Sequence, residues 1–471
     1  MHFHVFKLDL VGIHVWRQTQ TQSTIENFYK EDFNILNPRI NNRGDGNGIF
    51  RMEFPVMQWV FACFYKIFGN HVIITRILSF IIGVFSLWGI YLLLFNIFKR
   101  PLIALLGAWC FNFSPVFYYY TMNPMPDNLA LCSSVYSLAF FFKWIDSRKY
   151  FYIVLSAFFI SLGVLAKLPF IVFVGGIIAY LIMNLKRTGI GNTIKACFIF
   201  IGFLLAPAVW YIKVVGTWQG NGIVKGILAA NKNDIANLID ILQGNLISTL
   251  PELLINYGSL LFFLAGLGVL FFYKKYKSNL FPILFFGGIS VLFYFFFEMN
   301  MITTVHDYYM FPFLPLIFVI VAYGAEKLVS HSKRAVRTIA WAALCTLPFT
   351  AYLRINHRWN TIDPGFNSNL LVYKEGLRSA VPNNELCVAG NDESTYIFFY
   401  YINKKGWAFD NDNLDGSSLK MMIYKGARYL YTDSKKIAGD SAIRSCINKL
   451  VLQRGDINVY ELKQKNTIKL D

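Results

Sequence analysis

At 471 residues, with 55% hydrophobic, 18% aromatic and only 15% charged residues, the chain is too apolar for an ordinary soluble protein, in which charged residues run at about a quarter. It reads as a polytopic membrane protein. The net charge of +17 does not point to nucleic acid. Its basic residues fall in short clusters between apolar runs, at Lys99-Arg100, Arg148-Lys149, Lys186-Arg187, Lys274-Lys275 with Lys277, and Lys333-Arg334, the distribution that the positive-inside rule produces.

In chain order, residues 1–70 are dense in His, Arg, Asn, Asp and Glu and form a structured loop, since such text cannot span a bilayer. The first six residues have neither the charged nor the long apolar region of a signal peptide. A helix is expected over Thr19–Phe33, with Ser23 and Thr24 near its start, and a turn over residues 41–48. The aromatic run 56–68 is too short to span and suits a helix lying in the bilayer interface.

Apolar runs follow at 73–98, 101–120, 127–146, 151–166, 168–186, 194–215, 257–273, 280–298, 308–328 and 335–353, giving a bundle of about ten transmembrane helices over 71–355. Pro169 separates the fourth run from the fifth. Placing the basic clusters in the cytoplasm puts every other connection outside: the opening loop, the Met122–Asp127 connection, the turn at Lys167, residues 216–256, the Glu298–Tyr309 loop and everything after Tyr352. His14, Arg17 and Glu53 then share a membrane face with Asp127, Lys167 and His306–Tyr309.

Residues 356–471 change to soluble composition and read as a small α/β domain. Strands are expected at 385–390, 407–409, 429–432 and 459–462, with helices near Leu371–Ala380 and Ser441–Leu450. Of seven cysteines, five lie in apolar stretches as inert small hydrophobes. Cys387 and Cys446 either pair or remain buried thiols. There is no internal repeat.

Charged groups gathered at a membrane face mark a site. Glu53 and Asp127 each adjoin a proline-marked membrane boundary. Their hard oxygens suit a divalent cation such as Mg²⁺ or Mn²⁺, while the plainer reading makes Asp127 a helix N-cap. Arg17, Arg43, Arg51 and Lys167 suit a phosphate or pyrophosphate, or are solvated loop charges. His14, and His306 beside Asp307, offer acid/base chemistry or are structural histidines. Tyr308 and Tyr309 are interfacial aromatics or ligands. Serine-hydrolase, zinc-protease, P-loop and Rossmann motifs are missing from the sequence.

Read in order, His14-Val15-Trp16-Arg17-Gln18-Thr19-Gln20-Thr21, Met52-Glu53-Phe54-Pro55, Met125-Pro126-Asp127, Ala166-Lys167-Leu168-Pro169 and His306-Asp307-Tyr308-Tyr309 resemble glycosyltransferase family 39. That family belongs to the GT-C superfamily, with the protein O-mannosyltransferases and the aminoarabinose transferases. The resemblance covers residues 10–355. It implies a membrane enzyme that moves a sugar, with inversion, from a polyprenyl-phosphate donor to a lipid, glycan or protein acceptor. A loop carboxylate would act as base, and a cation or basic side chains would stabilise the departing phosphate.

Position by position, Glu53 and Asp127 match the acidic positions, Lys167 the basic one and His306–Tyr309 the polar cluster before a late span. Two features depart from the family pattern: Arg17-Gln18 stands where the loop usually has an Asp, and no span precedes Gly12. The expected roles are Glu53 as base or metal ligand and Asp127 as metal ligand. Arg17, Gln18, Arg51, Lys167, Tyr308 and Tyr309 would bind substrate, with His14, His306 and Asp307 as acid/base or orienting groups. A divalent cation is the cofactor expected, with no organic one. The implied location is the bacterial cytoplasmic (inner) membrane, with the site and the C-terminal domain extracytoplasmic. The rival readings are a flippase of lipid-linked sugars and an inactive donor-binding homologue.

Overall fold

A computed structural model describes residues 2–217, 237–272, 280–302, 306–464 and 466. The Lys274–Lys277 cluster and residues 218–236 of the 216–256 connection therefore lie outside the described residues. The chain divides into two compact units: one holds residues 1–2, 52–57 and 76–357, the other residues 3–51, 58–75 and 358–471.

The first unit is helical, as the long apolar runs dictate. Among the described residues, five helices are long and apolar enough to cross a membrane: Val72–Phe98, Pro126–Ser147, Ile190–Val215, Asp307–Val329 and Arg334–Trp359. The chain is an integral membrane protein. Prolines divide two of the runs that read as single helices. Pro115 starts a new helix, Pro115–Tyr120, after Pro101–Asn112 ends, because proline fits the first turn and breaks an interior. Around Pro312 the chain forms a 3₁₀ turn, Asp307–Phe313, before the α-helix Leu314–Val329.

Another break lies between the segments 239–255 and 257–270, which meet at 106°. Asn256 takes the left-handed conformation there (φ 73°). Its side chain donates to the carbonyls of Phe113 and Leu347 and accepts from the Thr350 hydroxyl, tying the break to two neighbouring segments. Helices Tyr257–Phe272 and Leu314–Val329 cross at glycine. A Cβ on Gly324 would sit 1.9 Å from the Phe262 carbonyl oxygen, and one on Gly266 2.1 Å from that of Ile320. Only glycine permits that approach.

The second unit carries a five-stranded sheet in the order β2-β1-β3-β5-β4, with β1 Leu386–Gly390, β2 Lys405–Ala408, β3 Ala427–Thr432, β4 Ile447–Arg454 and β5 Ile457–Leu462. β1 runs parallel to β2 and β3, while β5 pairs antiparallel with β3 and β4. One face packs on Phe398, Tyr401 and Leu377, the other on Leu419, Ile423 and Ile443. The helix expected over Ser441–Leu450 stops at Cys446. Ile447 onward is β4, joined to β5 by the two-residue turn Gly455-Asp456, a length that favours a hairpin.

The edge strand β2 is covered from the opening loop. The Arg43 and Gly44 amides donate to the Gly406 carbonyl, and the Gly406 amide donates to that of Asn41. This occupies backbone groups that an open edge would leave available for pairing. Cys387 and Cys446 are buried free thiols, and burial pushes the Cys387 thiol up to about 12, so it stays protonated and inert.

Candidate active site

The segment that carries Glu53 has almost no regular structure of its own and is pinned from both sides. The Trp210 indole donates to the Met52 carbonyl at 3.0 Å, and the Phe54 amide donates to the Leu165 carbonyl at 2.9 Å. The Phe54 and Trp210 rings meet edge to face, 5.0 Å apart. Glu53, held between two anchored residues, is buried.

Asp127 is reached by a different route. Pro126 is the first residue of the helix Pro126–Ser147 and Met125 occupies the N-cap position, so Asp127 is not the cap that its place beside a proline suggests. It lies in the first turn, where the helix dipole favours a negative charge, and is 1% exposed. The loop before it is built around Arg76, which is fully buried and donates to the Met122 carbonyl at 2.7 Å and to the Asn123 side-chain oxygen at 2.8 Å. Asn128 donates back to the carbonyls of Tyr120 and Asn123. Arg76→Met is expected to lower stability by about 2–3 kcal/mol, because it strips a charged donor from buried acceptors, and to reduce activity by displacing Asp127. Thermal unfolding in detergent, beside an activity assay, checks both.

Lys167 ends the helix Tyr150–Ala166 in an extended conformation (φ −160°, ψ 114°), so its side chain leaves the helix at its terminus. Its ammonium lies 3.8 Å from the Asp127 carboxylate and 5.7 and 5.1 Å from the ring centres of Tyr308 and Tyr309, within range of cation–π attraction. The His306 ring lies 4.9 Å from that of Tyr309. The Tyr120 hydroxyl donates to the Asp307 carboxylate, and the Tyr294 hydroxyl donates to the Tyr309 carbonyl at 3.1 Å.

Glu53, Lys167 and Tyr309 line one cavity of about 360 Å³ whose other walls are largely apolar, including Val172, Val215, Phe293 and Phe297. Glu298 lines it too, one residue past the apolar helix Leu280–Phe297. Burial pushes its carboxyl up to about 7, against the opposing pull of Lys167. The first unit thus assembles Glu53, Asp127, Lys167 and the His306–Tyr309 cluster.

His14, Arg17, Gln18 and Arg51 belong to the second unit. His14 precedes the helix Val15–Lys30 in the left-handed conformation (φ 55°). That helix starts four residues before the expected Thr19, so Ser23 and Thr24 lie inside it rather than at its cap. Within it Arg17 donates to Gln20 and Gln18 donates to the Ile13 carbonyl. Arg51 ties the loop together through the Leu36 carbonyl and the Asn37 side chain, and Arg43 pairs with Glu31. Sequence reasoning passed over Glu298, Arg76 and Tyr120; a lone charge at the end of an apolar run is the signal that could have marked the first two.

The largely apolar cavity shared by Glu53, Lys167 and Glu298 lies in a helical membrane unit, and the chain also carries a small sheet-bearing unit. Residues 53–212 match the family described as dolichyl-phosphate-mannose-protein mannosyltransferase. The fold is similar to ArnT from Cupriavidus metallidurans bound to undecaprenyl phosphate, with TM-score 0.69 at 10% identity over 97% of this chain and 96% of that one. The apo form of the same protein gives TM-score 0.65 at 11% identity over the same shares. The Archaeoglobus fulgidus oligosaccharyltransferase in complex with Zn and sulfate gives TM-score 0.55 at 12% identity, over 98% of this chain and 70% of that one. No curated protein matches the sequence. The motif resemblance to GT-C glycosyltransferases and the expected fold class are both borne out.

Proposed function

We infer that the chain is an inverting membrane glycosyltransferase that moves a sugar from a polyprenyl-phosphate donor to an acceptor hydroxyl at the extracytoplasmic face of the bacterial inner membrane. The observation that carries this reading is the cavity itself. Its apolar walls suit a prenyl chain, and Lys167 and Glu53 stand in the same space, one fit for a phosphate and the other for a proton.

Transfer requires the acceptor oxygen to bond the anomeric carbon as the bond from that carbon to the phosphate oxygen breaks. Glu53 takes the acceptor's proton. The electron pair of the breaking bond stays on the phosphate, whose growing charge Lys167 stabilises from a fixed position. Asp127 holds the Lys167 ammonium, and the His306–Tyr309 cluster shapes its surroundings. A divalent cation would rest on Glu53 and Asp127 with the lipid phosphate. Among the described residues no group of three or more His, Cys, Asp or Glu is placed to hold a metal, so the described side chains alone do not complete such a site and the lipid phosphate would have to supply the remaining oxygens.

The test is reconstitution of the full chain in vesicles with a radiolabelled polyprenyl-phosphate sugar and extracted envelope lipids, glycans or protein as acceptor. Label joined to an acceptor is the expected result. Label crossing the bilayer without transfer would identify a flippase, and donor retained without turnover an inactive binding homologue.

A further inference from the structure

Glu298 has no place in that scheme, yet it is 6% exposed, lines the same cavity as Glu53 and Lys167, and its Oε2 atom is buried without a hydrogen-bond partner among the described residues. A carboxyl with an unsatisfied oxygen in an apolar wall carries a cost that a ligand can relieve. The charged and titratable groups sharing this cavity are Glu53 from the pinned segment, Lys167 from the helix terminus, Tyr211, Tyr294 and Tyr309, with Asp127 beyond Lys167. Lys167 is the cation among them, and the ion pair with Asp127 already engages it. A second group on the phosphate side that brings a hydrogen-bond donor without a second negative charge is therefore what the cavity calls for.

The geometry points to Glu298 as a neutral carboxylic acid that hydrogen-bonds the lipid phosphate beside Lys167 and gives it a proton as the sugar leaves. The inference rests on the glycosyltransferase reading above. In balance, the anomeric carbon–oxygen bond breaks with its electron pair on the phosphate, a phosphate oxygen takes the Glu298 proton, and Glu53 takes the proton of the acceptor hydroxyl. Between turnovers Glu298 regains a proton from water and Glu53 loses one, so the enzyme ends unchanged. The raised proton affinity of Glu298, up to about 7, keeps the acid form populated at neutral pH. It also lies near the second ionisation of a phosphate monoester, at about 6, where proton exchange between the two is nearly balanced.

Two readouts on the full chain in detergent or nanodiscs test this. The first is turnover: wild type is expected to lose kcat above a pH of about 7 as the acid form disappears, and Glu298→Gln to lose that alkaline limb. Its kcat is expected to fall about tenfold, below the usual span for acid catalysis because phosphate is itself a competent leaving group. Glu298→Asp should restore the limb in part. A raised donor KM with kcat and the limb unchanged would overturn the proton transfer. The second readout needs no turnover: undecaprenyl phosphate is expected to bind wild type more tightly at a pH of about 6 than at about 8, either side of the Glu298 and phosphate ionisations, with the difference flattened in Glu298→Gln. Equal pH dependence in both proteins would overturn the assignment. If wild type shows no transfer to any acceptor, the glycosyltransferase reading fails, while the binding comparison still decides whether Glu298 meets the phosphate.

Discussion

Glu53→Gln is expected to lower sugar transfer by about 10²–10⁴-fold, the usual contribution of a positioned base. Binding of polyprenyl phosphate should stay within about threefold, because the amide keeps the shape and loses only the proton-accepting charge. The reason is the way the segment is held. Met52 and Phe54 are fixed by Trp210 and Leu165, so the substitution changes one group on an anchored backbone. A steady-state assay with radiolabelled donor, beside direct binding of the lipid phosphate, separates the two quantities. Unchanged turnover with weakened binding would move Glu53 from base to donor contact. If Asp127→Asn also left transfer intact, the whole acidic pair would lose its proposed role.

The residues on which that prediction rests were legible because they combine a charge with a local marker. Glu53 stands before Phe54-Pro55, Asp127 after Pro126 and Lys167 before Leu168-Pro169, so each announces a membrane boundary as well as a charge. Glu298 and Arg76 have no such neighbours. Arg76 lies inside the apolar helix Val72–Phe98, and its role depends on the loop carbonyl of Met122, 46 positions away in sequence. Glu298 acquires meaning only when Lys167 and Glu53 come to the same cavity. Neither relation has a spacing that a one-dimensional reading can follow.

The errors in secondary structure have the same origin. Residues Ser441–Leu450 carry enough helix-forming character to read as one helix, but pairing with β5 takes Ile447 onward into a strand, tertiary contact overriding local preference. The breaks before Pro115 and around Pro312 follow from the missing amide and the fixed φ of that residue, yet Pro207 and Pro348 sit inside continuous helices, so surrounding packing decides whether a proline ends a helix.

Lys167→Met is expected to have two effects that one measurement would confuse. Transfer should fall by about 10²–10³-fold, the range for removing one fixed donor of transition-state charge stabilisation. Stability should fall by about 3 kcal/mol, since breaking a buried pair leaves the other charge uncompensated and Asp127 is 1% exposed. The 3.8 Å separation of the pair is loose, which places the cost at the lower end of that range. The double variant Lys167→Met/Asp127→Asn removes the stranded charge and should recover most of the thermal stability. If the ammonium acts on the departing phosphate, transfer stays low in the double variant, because a neutral amide in place of the Asp127 carboxylate cannot stand in for a cation. Recovery of transfer along with stability would mean that Lys167 serves only to neutralise Asp127, and the phosphate role would have to pass to another group.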